Sequence, residues 1–380
     1  MINRRILSFG VILIVILALP LTIWLVRNQH ETRGRAAAPD QLEAEGGVLG
    51  GNAKIQTDTQ ASGGQYVAFA NQTPTPTSMP STPSPCPSNL QTAINNTATN
   101  GTLNITGCSY SLASPVTVSK AMTIQGGTIT TTTKAITIAA SDVVISGVHI
   151  VGPQYTTYNS GQIGIYANSA IQNITVKNNI IENFGEDGVR LANVTNLNVS
   201  GNTIKNIVYA GILIVSGAGG TVNGNSVTNI GVVGYEANGM NAYGIALTDQ
   251  GGVPSSGITV SGNTVDNVPQ WHGLDTHGGR NLIFSGNTIH RTNRAIFLTS
   301  SDGNGPAQNI TVNQNTMDTP TKRVDVLNTY PYNEVGITVV SGAVNVTGTG
   351  NKFDGWPSGN HLNTQGGPNN FTNNIITNPQ

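Results

Sequence analysis

Charge is scarce in this chain: 9% of its 380 residues are Asp, Glu, Lys or Arg, and the net charge is -1. That excludes a basic footprint for nucleic acid and leaves uncharged or modestly charged ligands open. Aromatic residues are also few, at 5%, while Gly and Asn are abundant. The combination suits many short strands joined by tight turns, where Asn and Gly tolerate left-handed backbone angles. It does not describe a disordered chain, because the apolar residues are periodic and sufficient for a long thin core. There are two cysteines, Cys86 and Cys108. A pair this close together reads as a local disulfide, which needs an oxidising compartment; two free buried thiols are the alternative.

One long uncharged run exists. Ile6 to Val26 carries no charge, enough to cross roughly 30 Å of hydrocarbon as a helix. Arg4 and Arg5 precede it and Arg27, Arg33 and Arg35 follow, so the positive-inside rule is indecisive. No small-x-small cleavage site follows closely. The expectation is a single-pass anchor over residues 1–27, with the rest of the chain extracytoplasmic at the cell membrane; a cleaved signal peptide is the alternative. Residues 28–85 form a linker ending in the Pro/Thr/Ser tract Thr73–Pro85, an extended, semi-rigid stalk. Glu43-Ala44-Glu45 and Ala61–Phe69 (ASGGQYVAF) resemble the opening strands of carbohydrate-binding β-sandwich modules, too short here for a whole module. That resemblance implies calcium near Glu45; no specific motif calls for calcium or for any other cofactor.

From residue 86 to 378 a phrase recurs: aliphatic-x-aliphatic, two polar residues, Asn, then x-aliphatic. It reads ITVKNNII at Ile174–Ile181, LNVSGNTI at Leu197–Ile204 and ITVSGNTV at Ile258–Val265. The Asn falls at Asn179, Asn202, Asn225, Asn263, Asn287, Asn315, Asn351 and Asn374, a basal period of about 23 residues with insertions. Period-two alternation makes each unit strand-built, and no unit can bury its apolar face alone. Pro87–Thr97 is the one short helix expected, capping the first open coil. The head segment and the repeated NITVxxNxI phrases resemble the right-handed parallel β-helix proteins of the pectate-lyase-like superfamily. The resemblance implies an all-β solenoid of about ten coils over residues 86–378, a fold that hosts lyases, hydrolases, epimerases and inert fibres.

A second phrase in each coil begins with a small residue: GVRLA at Gly188, GILIV at Gly211, GIALT at Gly244, GLDTH at Gly273. Alternation sends its second and fourth residues inward and its third and fifth to solvent. Stacked coils then place Asp187, Ala210, Tyr243, His272 and Arg294 in one column, and Arg190, Leu213, Ala246, Asp275 and Phe297 in another. Trp271–Arg280 (WHGLDTHGGR) stands out. Asp275 and His277 share an outward face, with Tyr243 and Arg294 flanking His272 from adjacent coils. A His moves protons near neutral pH, Tyr–His is an acid/base pair, and Arg neutralises a sugar carboxylate. Trp271 and Phe297 are candidate stacking platforms, and Arg280 and Asp249 are further substrate-binding candidates. His272, Asp275 and His277 do not converge on one point of a straight strand, so no metal is expected. Glu186, Asp187 and Arg190 read as a solvated turn pair.

The phrase also resembles the Tyr-Gly-Phe-Asp-Pro-His-Asp signature of alginate C5-epimerases and related uronate lyases. Asp275 and His277 match its Asp and His, whereas its Tyr is His272 here, its Pro is Thr276 and its final Asp is Gly278. The resemblance implies proton abstraction alpha to a uronate carboxylate at Asp275 and His277; His272, Tyr243 and Arg294, which the columns bring beside them, complete the expected catalytic set. The competing expectation is a non-catalytic adhesin or glycan-binding spacer. Either way the expected partners are polysaccharide and, through the N-terminal run, a membrane.

Overall fold

The computed structural model describes residues 53–57, 65–69, 86–231, 241–300, 305–321, 334–365 and 367–380. The chain divides after Ser84 into two compact units. In the first, strands Ala53–Thr57 and Gln65–Phe69 pair antiparallel, with Ile55 opposite Val67. The apolar run Ile6–Val26, Glu43, Glu45 and the stalk lie outside the described residues. Among the described residues no helix is long and apolar enough to cross a membrane.

The second unit is a parallel β-helix. Each coil supplies one strand to each of three parallel sheets, as Ala210–Val215, Ala218–Asn223 and Ser226–Ile230 do in turn. The next coil repeats the pattern in register, Ala210 opposite Tyr243, Gly220 opposite Ile258 and Ser226 opposite Thr264. The reason is visible in single columns. Ile204, Val227, Val265, Ile289 and Met317 follow one another by register and are all fully buried. Each such side chain contributes about 1.5–3 kcal/mol by leaving water, and a strand shifted by one residue would expose the whole column.

The repeated Asn is the corner between two of the sheets. Asn202 Nδ2 donates to Val176 O and to Asn225 Oδ1, both at 2.9 Å, and the pattern continues through Asn263, Asn287, Asn315 and Asn351. The ladder satisfies turn groups that would otherwise be buried without partners. At the head, the helix Leu90–Asn96 is N-capped by Asn89, which accepts from Thr92 N, and turns Leu90 and Ile94 into the core. The Cys86–Cys108 disulfide ties this cap to the first coil. Trp356 is a loop anchor: it is fully buried and its Nε1 donates to Met317 O at 3.0 Å.

Candidate functional site

The small residue that opens each second phrase marks a close approach. A Cβ on Gly273 would sit 2.6 Å from Ile289 and 2.8 Å from Ala295 O, so the chain passes too near the core and the next coil for any side chain. The strand turns a corner there. Its effect is to put His272, just before the glycine, on the same outer face as Asp275. Upstream, the pairing of Thr264–His277 with Thr288–Thr299 slips between Val268 and His272: Thr292 and Arg294 face Val268 and His272 with one residue between them instead of three. That bulge projects Trp271 over the face.

The structure brings together the residues that the columns align. Tyr243, His272 and Arg294 are register neighbours, as are Ala246, Asp275 and Phe297. His272 Nδ1 lies 2.7 Å from Asp275 Oδ2, and His277 Nε2 lies 3.1 Å from Asp275 Oδ1. The second contact is longer and less linear than the first. One carboxylate thus sits between two imidazoles. His272 is stacked on both faces, by Trp271 at 4.6 Å and Phe297 at 4.0 Å between ring centroids. Tyr243 meets the His272 and His277 rings edge-on at 5.7 and 6.3 Å. The Arg294 guanidinium carbon lies 5.0 Å from the Phe297 centroid and 5.5 Å from that of Trp271.

Alternation along the strand sends Asp275 and His277 to solvent, and the structure differs. The outer face of this sheet is not open to solvent: Asp275 and His272 are completely buried, while the His277 side chain keeps 36% of its surface. Alternation gives the side of a sheet, not what lies on top of it. Ala210, Leu213, Ala246, Tyr243 and Trp271 form a second apolar cluster on that face, with Tyr209 and Val215 packed against it. Trp271 and Phe297 each spend a ring face on His272. Asp249 is half-buried just past the strand Tyr243–Thr248, and its Oδ2 has no hydrogen-bond partner among the described residues. Arg280 lies beyond Gly278, bridged by backbone to Ser256 and Gln308.

Electrostatics fix the protonation of the group. Burial pushes the His272 imidazole down to about 4, against the hydrogen bond and charge of Asp275. Burial alone would raise Asp275, but the charge of His277 and the hydrogen bond from His272 outweigh it and hold the carboxyl at about 2. At neutral pH Asp275 is therefore an anion and His272 a neutral ring. A neutral ring that touches a carboxylate through Nδ1 must carry its proton there. Among the described residues no three His, Cys, Asp or Glu side chains are grouped to hold a metal ion. The two rings instead take opposite oxygens of one carboxylate.

A second group on the same face is missed by sequence reasoning. Asp187 is fully buried and Glu186 nearly so, with Arg190 between them: Nε is 2.5 Å from Asp187 Oδ2 and an Nη is 2.7 Å from Glu186 Oε1. Glu186 also accepts from Gly161 N at 2.5 Å and from the Tyr158 hydroxyl at 3.3 Å. This is a closed network, not a solvated turn pair. Its signal in the sequence was the company it keeps, since Leu213 and Ala246 follow Arg190 in a column that solvent would not fill with apolar side chains.

Comparison with known proteins agrees with this fold. The family described as right handed beta helix region matches residues 88–270. DFA-IIIase from Arthrobacter chlorophenolicus A6 in complex with GF2 superposes with a TM-score of 0.54 at 13% identity, covering 74% of this chain and 78% of that one. The same protein in complex with DFA-III gives 0.55 at 13% identity, covering 73% and 74%. None of the curated proteins matches this sequence. At such identities the likeness establishes a right-handed parallel β-helix and nothing finer.

Proposed function

We propose that this β-helix acts on carbohydrate, with His277 as the proton-transfer group of a lyase or epimerase on a uronic polymer. The observation that carries the reading is Asp275, an anion held between a closed imidazole and a partly open one. If His277 donates Nε2–H to Asp275, its Nδ1 carries the lone pair and can take the proton alpha to a sugar carboxylate. Asp275 sets that tautomer and stabilises the imidazolium that forms. Arg294 would neutralise the substrate carboxylate while charge builds on it. The electron pair left at carbon then has two fates. It expels the glycosidic oxygen, which takes a proton from Tyr243 and leaves an unsaturated ring, or carbon is reprotonated on its other face. His272 reaches the reaction only through Asp275 and is a positioning residue.

Hydrolysis by two carboxylates fits less well. Asp249, on the coil next to Asp275, is the nearest other candidate, but Asp275 is fully buried with each oxygen against an imidazole. Asp187 lies three coils away, roughly 14 Å at about 4.8 Å per strand, beyond the approximately 5–9.5 Å such pairs need. The saccharide ligands GF2 and DFA-III of the structural neighbours support carbohydrate as the class. We further propose an extracytoplasmic domain anchored through residues 6–26, which the disulfide supports. The test sets the wild type, His277→Ala and Arg294→Ala against acidic and neutral polysaccharides, reading unsaturated ends by ultraviolet absorbance and epimerisation by proton NMR. His277→Ala should lose at least about a hundredfold in turnover with its fold intact, and Arg294→Ala should weaken charged substrates selectively. A wild type that alters none of them moves the reading to a glycan-binding adhesin. Full activity in His277→Ala keeps the enzyme and discards this site.

A further inference from the structure

A buried ion-pair network has no obvious stabilising value, because desolvating its charges costs about as much as their attraction returns. The Glu186–Arg190–Asp187 group does have a geometric effect. Its two carboxylates grip one edge of the Arg190 guanidinium, and the side chain keeps 23% of its surface exposed. A guanidinium fixed in this way offers donors in one orientation, with little rotamer freedom left to lose on binding. Rings surround it. Tyr158 and Tyr209 meet edge-on at 6.1 Å between centroids, and Tyr166, the register neighbour of Arg190, lies under the Lys134 ammonium at 3.7 Å. Tyr158, Tyr166, Tyr209 and Arg190 are all half-buried, each showing solvent only part of its surface.

The same face continues to the His–Asp–His group. Tyr209 meets Tyr243 at 5.5 Å, and Tyr243 meets His277 at 6.3 Å. The coil of Arg190 precedes that of His277 by three strand spacings, roughly 14 Å, a span that takes several sugar rings rather than one. We propose that Arg190, with Tyr158, Tyr166 and Tyr209, is a distal sugar-binding subsite, where Arg190 donates to ring hydroxyls or a carboxylate and the tyrosines take the apolar ring face. Glu186 and Asp187 are its positioning residues. The proposal rests on the carbohydrate reading above but not on chemistry at His277. It makes the ligand a chain lying along the helix axis, and it explains why two carboxylates are sunk beneath one arginine.

Isothermal titration of the full chain with neutral and uronic oligosaccharides of increasing length tests it. In the wild type affinity should climb once the ligand is long enough to span both groups. Tyr209→Ala and Arg190→Lys should each lose about tenfold of that increment while binding the shortest ligands as the wild type does. Tyr209→Ala leaves the ion-pair network intact, so it reports even if an Arg190 variant folds poorly. The series that shows the increment says whether Arg190 meets hydroxyls or carboxylates. Short ligands that bind with no gain on lengthening, or a gain untouched in Tyr209→Ala, overturn the subsite and leave the carbohydrate reading standing. Absence of binding at every length in both series overturns both.

Discussion

Two buried aspartates on one sheet face, three coils apart, have pKa values shifted in opposite directions. Asp187 and Asp275 are both fully buried. Yet Asp187 is pushed up to about 7, by burial first and by the charge of Glu186, with Arg190 opposing. Asp275 is held at about 2. Burial therefore does not decide the matter; the neighbours do. Asp187 shares its one cation with a second carboxylate. Asp275 shares two imidazoles with nothing anionic described beside it. The first arrangement locks an arginine and stores a proton near neutrality. The second fixes an anion that orients a base.

Removing one partner from each group should therefore have unlike consequences for activity. Arg190→Ala strands Asp187 and Glu186 without a cation. Asp187 can take up a proton instead of staying charged, so the loss should fall at the low end for a broken buried pair, about 3 kcal/mol in urea unfolding. Asp275→Asn keeps the shape and an acceptor for His272 but forfeits the stability of a carboxyl held at about 2, about 2.6 kcal/mol at neutral pH, and should remove turnover. Turnover of short substrates lost in Arg190→Ala, or kept in Asp275→Asn, would break the distinction between a structural cluster and a chemical one.

The pH dependence sharpens it further, because the signs differ. A carboxyl raised to about 7 keeps its proton when folded and loses it when unfolded, between about pH 4 and 7. Asp187 thus makes stability fall as pH rises through that window, by about 1.4 kcal/mol per unit. His272, lowered to about 4, is neutral when folded and charged when unfolded between about pH 4 and 6.5. It makes stability rise across nearly the same window. The two oppose each other in the wild type. Relative to the wild type, Asp187→Asn should gain a positive slope of stability against pH, and His272→Gln a negative one, measured as urea midpoints from pH 4.5 to 7. Asp275, depressed to about 2, contributes stability that is present above about pH 4 and lost only as pH falls towards 2. Parallel curves for all three proteins would refute these assignments.

Much of this was legible in the sequence. The Asn179–Asn374 series fixed the register, and register alone aligns Tyr243, His272 and Arg294 across three coils. The proximity of Cys86 to Cys108 sufficed for the disulfide. What failed was depth. Period-two alternation says that Asp275 points away from the core, but it cannot say that bulged Trp271 and Phe297 of the next coil close over its neighbour His272. The Glu186–Arg190 network was missed for a related reason. Charges three and four residues apart look local and solvated, whereas Glu186 also accepts from Gly161 N and the Tyr158 hydroxyl, contributed by another turn. Apolar Leu213 and Ala246 in an outward column were the warning that the face is covered.

Asp275 is a fixed anion that receives the Nδ1 proton of a neutral, closed His272. Long-range proton–nitrogen correlation spectra of the histidine rings, recorded from pH 4 to 8 with His272 assigned by comparison with His272→Gln, read this directly. His272 should show an Nδ1–H tautomer that persists from pH 8 to below 5 and begins to titrate only near 4. An Nε2–H tautomer, or a ring that charges near the ordinary histidine value of about 6.5, would contradict it.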